Sequence, residues 1–229
     1  DPVAFAAGRA ELLSGLTRRV ATSPTALVDE AEAAGGPLRP DAEPVIDPPE
    51  PAGGEAVGGV PVRRRPAPSG AAIGSAVHRV LELVALRGPS EQEIRRLAAL
   101  ACAEQEIPSL AEDVATRVGH ALTARLVSEA AARGRFWREV YVVTPDGERY
   151  LEGYIDLLAE DEDGGPVVID YKTDRVRGDA EIAAKTAHYR SQLQAYARAL
   201  AGPLDREVSK GALVFAGPDG VRQVLVDLG

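Results

Sequence analysis

The 229-residue sequence has no methionine, one cysteine, three histidines and only 4% aromatic residues. A single cysteine excludes an internal disulfide, a cysteine-rich zinc site and a four-cysteine iron–sulfur cluster. Cys102 lies in the helical pattern ALACAEQE and is expected as a small core residue, in a protein held in a reducing, cytoplasmic compartment. No apolar run approaches the roughly 20 residues of a spanning helix, so no membrane partner is expected. The opening DPVAFAAGRAELL lacks a basic stretch followed by an apolar one, so no signal peptide is expected either. The missing methionines, the initiator included, fit a piece cut from a longer chain. No Gly-x-x-x-x-Gly-Lys-[Ser/Thr] occurs, so these residues hold no ATPase motor.

Positive charge is also in deficit, but unevenly. Of the net charge of −9, a contribution of −7 comes from Asp29 to Gly59, where eight acids meet one base, Arg39. The remaining chain is close to neutral, so the global acidity does not exclude a nucleic-acid partner.

The pattern that is present divides the chain in three. Residues 1–34 form a helical segment: apolar Val3, Phe5, Leu12, Leu13, Leu16 and Val20 predict a helix over 3–20, and TSPTALVDEAEAA a second with Ser23 as N-cap and Pro24 at its first position. Residues 35–69 hold nine of the seventeen prolines and read as a linker or extended strap, closing on Arg63, Arg64 and Arg65. Residues 70–229 carry regular periodicity. Helices are predicted over 71–86, 90–106 and 110–133, then strands over 136–143 and 149–159 joined by a Pro-Asp-Gly turn. A third strand over 166–172, a helix over 179–201 and strands over 211–216 and 221–228 complete the order. The expected fold class is α/β, a central mixed sheet flanked by helices.

Chemistry concentrates where the strands end. In PVVIDYK, period-two alternation puts Asp170 and Lys172 on one face and Val167, Ile169 and Tyr171 on the other. In YLEGYIDLL the same rule places Tyr150, Glu152, Tyr154 and Asp156 together, with Leu151, Ile155 and Leu157 toward the core. If the two strands are neighbours, Asp156 approaches Asp170. Two carboxylates about 4 Å apart repel by roughly 4 kcal/mol at an effective dielectric near 20. Such a pair shares a proton, pairs with Lys172 or binds a hard divalent cation such as Mg²⁺ or Mn²⁺. Singly, each residue has an ordinary reading: a turn aspartate, a surface ion pair, a solvated Glu139, a helix-surface His78.

In order along the chain stand Gly-x-Ala-x-His (Gly74 to His78), the acid-bearing strand with Glu139, Gly-Tyr-Ile-Asp (Gly153 to Asp156), Ile-Asp-Tyr-Lys (Ile169 to Lys172) and Tyr-Arg-x-Gln-Leu-x-x-Tyr (Tyr189 to Tyr196). This series resembles the RecB/AddA-type nuclease module of the PD-(D/E)xK superfamily, found at the C-terminal end of UvrD-like helicases. The resemblance covers roughly residues 70–229 and implies a restriction-endonuclease-like core. It implies that His78, Asp156, Asp170 and the Tyr171 carbonyl hold Mg²⁺ or Mn²⁺. By the same resemblance Lys172 orients or deprotonates the attacking water, and Glu139 matches an accessory acid. Gln192 and Tyr196, with Tyr189, match a motif near the active site and DNA; four residues apart on a helix, Gln192 and Tyr196 share a face. Arg175, Arg177, Lys185 and Arg190 follow the lysine and could line a phosphate path. Ile155 stands where the superfamily's name has proline. Relatives with an iron–sulfur cluster carry four cysteines, so the resemblance is to the cluster-free branch.

The implied function is metal-dependent hydrolysis of DNA, single-stranded by preference, in end processing during repair or recombination. The implied partner is a UvrD-like motor in cis, missing from this chain, or a helicase–nuclease partner protein. Two other readings stay open: a nuclease fold kept as an inactive DNA-binding scaffold, and a stand-alone enzyme acting on RNA or another phosphodiester.

Overall fold

The computed structural model describes residues 21–22, 70–146 and 149–229. The helices expected over 3–20 and 22–34, the 35–69 linker with its arginine triplet and Gly147 of the first hairpin turn lie outside the described residues, apart from Thr22. A two-residue strand β1 (Ala21–Thr22) comes first. Then follow α1 (Gly70–Leu83), α2 (Glu91–Glu104), a 3₁₀ turn (Pro108–Leu110), α3 (Ala111–Thr123) and α4 (Arg125–Arg133). Strands β2 (Phe136–Asp146), β3 (Arg149–Glu160) and β4 (Pro166–Lys172) lead into α5 (Asp179–Leu204), and β5 (Lys210–Gly217) and β6 (Gly220–Asp227) close the order.

Local signals account for some of the boundaries. Ser90 caps α2 by accepting from the Glu93 amide, and Gly134, in a left-handed conformation, ends α4. The single helix expected over 110–133 is instead two. Ala124 adopts an extended ψ of 134° between them, and the freed Leu126 amide donates to the side chain of Gln223 on β6. That cap comes from a residue almost a hundred positions away, so helical periodicity could not announce the break.

The sheet runs β2–β3–β4–β5–β6, with β1 alongside the N-terminal part of β3 on the edge that β4 uses further on. Pairing is antiparallel except for β4 with β5 and β1 with β3. It is the mixed sheet flanked by helices that the sequence predicted. On β5, Ala212, Val214 and Ala216 pack with α1 to α4, while Leu213 and Phe215 pack with α5. At β5 each face is therefore covered by its own helices, and Cys102 is a buried core residue on the first. Fully buried Phe215, Leu157, Ile169 and Leu193 each contribute about 1.5–3 kcal/mol.

One strand departs from strict alternation. Ile155 packs on the α5 side and Leu157 on the α1 side, although period two predicts one face for both. The neighbouring strand slips at the same level. Phe136 packs with the α1 side, Arg138 donates to the Leu81 and Val84 carbonyls at the end of α1, and Val140 and Val142 pack on the α5 side. Between Arg138 and Val140 lies Glu139, with φ at +48°, a left-handed conformation that costs a non-glycine residue roughly 1–2 kcal/mol. Register stays constant across the slip, with Arg138 opposite Leu157 and Val140 opposite Ile155. Glu139 thus faces Asp156 in the one gap of the β2–β3 ladder.

Candidate active site

The β3–β4 ladder ends at the pair Leu157 and Ile169, and the next opposed positions would be Asp156 and Asp170. Instead of a further ladder bond, the Tyr171 amide donates to Asp156 Oδ2 at 2.7 Å. The two strands fork there, with Asp170 buried and Asp156 mostly shielded at the fork.

Groups from both faces converge on it. From α1, His78 Nδ1 lies 3.0 Å from Asp156 Oδ1. One turn earlier, a Cβ on Gly74 would stand 3.4 Å from Thr173 Oγ1, so the helix runs close to the chain just after β4. From the other face, Lys172 Nζ lies 2.8 Å from Asp170 Oδ2, donates to Gln192 Oε1 at 2.9 Å and sits 4.2 Å over the Tyr189 ring. Gln192, buried on α5, contacts the Tyr196 hydroxyl at 3.4 Å. The expected shared face of Gln192 and Tyr196 is present and turned toward the lysine.

The electrostatics follow from burial and proximity. Burial opposes a charge on His78, but the Asp156 carboxylate outweighs it and lifts the imidazole to about 9. Burial works against the Asp156 charge as well, and His78 with the Tyr171 amide overcomes it, holding that carboxyl below its usual range. Asp170 is pushed up by burial and by the Asp156 charge despite Lys172. Burial would discharge Lys172, but the surrounding aspartates keep it protonated. Glu139 is raised to about 7, first by burial and then by Asp156.

Among the described residues, no three His, Cys, Asp or Glu side chains are drawn together as a ready metal cage. The donor chemistry nonetheless fits a hard cation. Buried Asp170 Oδ2 has its lysine neighbour but no aligned hydrogen-bond donor, and two carboxylates share the fork with an imidazole.

The remaining expected residues are dispersed. Arg175 stands 3.8 Å from Asp219, and the Arg177 amide closes onto Glu181. Arg190 donates to the Asp227 carbonyl, and Lys185 turns inward to Asp174 at 2.5 Å. Sequence reasoning missed two supports. Asp174 also accepts from the Tyr189 hydroxyl at 3.1 Å, fixing the ring beneath Lys172. Arg117, paired with Asp113, donates to the Thr173 carbonyl at 2.8 Å and clamps the chain just after the lysine. The signal for Arg117 was faint: an Asp four residues before an Arg on a helix.

A stretch of 81 residues is 41% identical to an ATP-dependent helicase/nuclease subunit of Desulforudis audaxviator (strain MP104C); it is 35% of this chain and 6% of that protein. The crystal structure of SSO0001 is 19% identical, covers 68% of this chain and 66% of its own, and superposes with a TM-score of 0.37, too distant to add to the argument. The model of the PD-(D/E)XK nuclease superfamily matches residues 55–224, well over half of the chain. With an aspartate at the fork, an Asp-Tyr-Lys at the end of the adjoining strand and a sheet that brings them together, this chain belongs to the PD-(D/E)XK nuclease superfamily.

Proposed function

We propose that the domain hydrolyses phosphodiester bonds of DNA with Mg²⁺ or Mn²⁺, as the nuclease module of a cytoplasmic helicase–nuclease that trims DNA ends in repair or recombination. The observation that carries this reading is the fork itself: buried Asp170 beside the mostly shielded Asp156 and Lys172, with His78 reaching in from α1. A scaffold has no need to keep like charges buried side by side.

His78, Asp156, Asp170 and the Tyr171 carbonyl would hold the cation. When bound, it supplies charge against the scissile phosphate and lowers the pKa of water toward neutrality. His78 must release its proton to act as a ligand, so binding is coupled to pH. Lys172 keeps its proton, so its role is to offset phosphate charge and hold the attacking water in line, with Gln192 and Tyr189 fixing its ammonium. Glu139, raised to about 7, can exchange a proton near neutral pH beside Asp156. The similarity to a helicase/nuclease protein supports a motor as partner and DNA as substrate.

One observation favours the second reading, an inactive DNA-binding module. His78 and Lys172 already neutralise the carboxylates, and no three-ligand cage stands ready among the described residues. Incubation with single- and double-stranded DNA and RNA, in Mg²⁺, Mn²⁺ or EDTA, separates the readings. Metal-dependent DNA cleavage lost in Asp170→Ala is expected. Absence of cleavage, or cleavage indifferent to that substitution, sinks the nuclease reading, and cleavage of RNA alone points to another phosphodiesterase.

A further inference from the structure

Two half-exposed tyrosines stand next to the site on the same two strands. Tyr141 of β2 and Tyr154 of β3 are cross-strand partners, 51% and 56% exposed, with ring centroids 5.2 Å apart and planes tilted by 49°. Their register pair lies two steps beyond Glu139 and Asp156, two residues along each strand or about 6.8 Å. Faces agree as well. Ile155 and Val140 point to α5, so Tyr154 and Tyr141 point to the α1 side, where His78 meets Asp156. The Tyr141 hydroxyl donates to Glu152 at 2.9 Å, which fixes its ring and sets a carboxylate at the patch. Exposed Val143 extends the apolar surface.

A carboxylate beside two rings repels phosphate and leaves the ring faces for something flat and uncharged. Trp137 is equally exposed, at 52%, but it pairs with Leu158, which packs on the α5 side, and so it belongs to the opposite face. We propose that Tyr141 and Tyr154 form a stacking platform for unpaired bases of a single nucleic-acid strand, seating the nucleotide next to the phosphate held at Asp156. The proposal rests on the nuclease reading for its substrate class, and adds that the site takes bases out of a duplex or requires them unpaired. Aromatic stacking tolerates any base, because every base presents a π-face.

The test uses the full chain in EDTA at low salt, where no metal-dependent cleavage intervenes, with fluorescence anisotropy of labelled oligonucleotides. Oligo-dT is expected to bind on the order of tenfold more weakly to Tyr154→Leu and to the double variant with Tyr141→Leu. Tyr154→Phe and Trp137→Leu should bind as the unaltered protein does. An abasic oligonucleotide of the same length should bind the unaltered protein as weakly as oligo-dT binds the double variant, a comparison that needs no variant to fold. Equal affinity for abasic and oligo-dT strands overturns the platform. So does unchanged binding in the double variant, an equal loss in Trp137→Leu, or duplex bound as tightly as single strand. A parallel cleavage assay in Mn²⁺ keeps the two ideas apart. Missing cleavage rejects the nuclease reading alone, while the abasic comparison still decides for or against the platform.

Discussion

Lys172→Met should separate the lysine's structural role from its chemical one. Methionine keeps the apolar stem and removes the ammonium that sits 2.8 Å from buried Asp170 Oδ2. At that distance the gross attraction is about 6 kcal/mol for an effective dielectric near 20, most of it spent on desolvating the two charges. Removing one partner leaves the other charge buried and uncompensated, which costs about 3–5 kcal/mol. For a domain of this size that lowers the unfolding midpoint by roughly 10 °C. The loss depends on pH in a defined direction. Asp170 is already raised by burial and by Asp156, and without Lys172 it rises further. A raised folded-state pKa gives stability that is complete below the unfolded value near 3.9 and disappears as pH climbs through the folded value. The deficit should therefore be smaller at pH 5 than at pH 8. Adding Asp170→Asn should recover most of it. Thermal unfolding followed by circular dichroism, in EDTA, measures all of this. A Lys172→Met protein as stable as the unaltered one at pH 8, a deficit independent of pH, or no rescue by Asp170→Asn would refute the reasoning.

The other expectations concern the rest of the fork. His78, lifted to about 9 by Asp156, contributes stability that is complete below 6.5 and lost as pH rises through 9; in EDTA the unfolding midpoint should fall over that window, and His78→Asn should flatten the fall. Glu139→Gly relieves the left-handed strain at φ +48° and removes a carboxyl that burial disfavours, so stability should rise by about 1 kcal/mol in urea titrations while cleavage falls. Mn²⁺ at a hundred times its dissociation constant should stabilise the protein by about 2.7 kcal/mol, and Asp170→Asn should abolish the shift in a calorimetric scan.

Much of this centre was legible in residue order alone. Asp170 and Lys172 alternate with a β-branched apolar run, so they share a face whatever the tertiary fold, and the structure turns both toward α5. Gln192 and Tyr196 share a helical face for the same reason. Period two failed at Asp156, where β3 slips phase together with β2. At the same level Glu139 of β2 is left-handed, a conformation no propensity assigns to glutamate. Had alternation held, Ile155 and Leu157 would share one side; in fact the slip sends them to opposite cores and leaves Asp156 free to meet His78.

Local residue order, then, determined most of the described elements, their sequence along the chain and the acid–lysine pair, because helical and strand periodicities act within a few residues. Tertiary structure alone decided what stands around that pair. The β3–β4 register brings Asp156 to Asp170, and packing of α1 against the sheet delivers His78 across 78 positions. Arg117, Asp174 and Gln223 find their roles only through partners far away or out of helical phase. Buried charges take their protonation from neighbours within a few ångströms, and in a folded chain those neighbours are chosen by packing rather than by sequence adjacency.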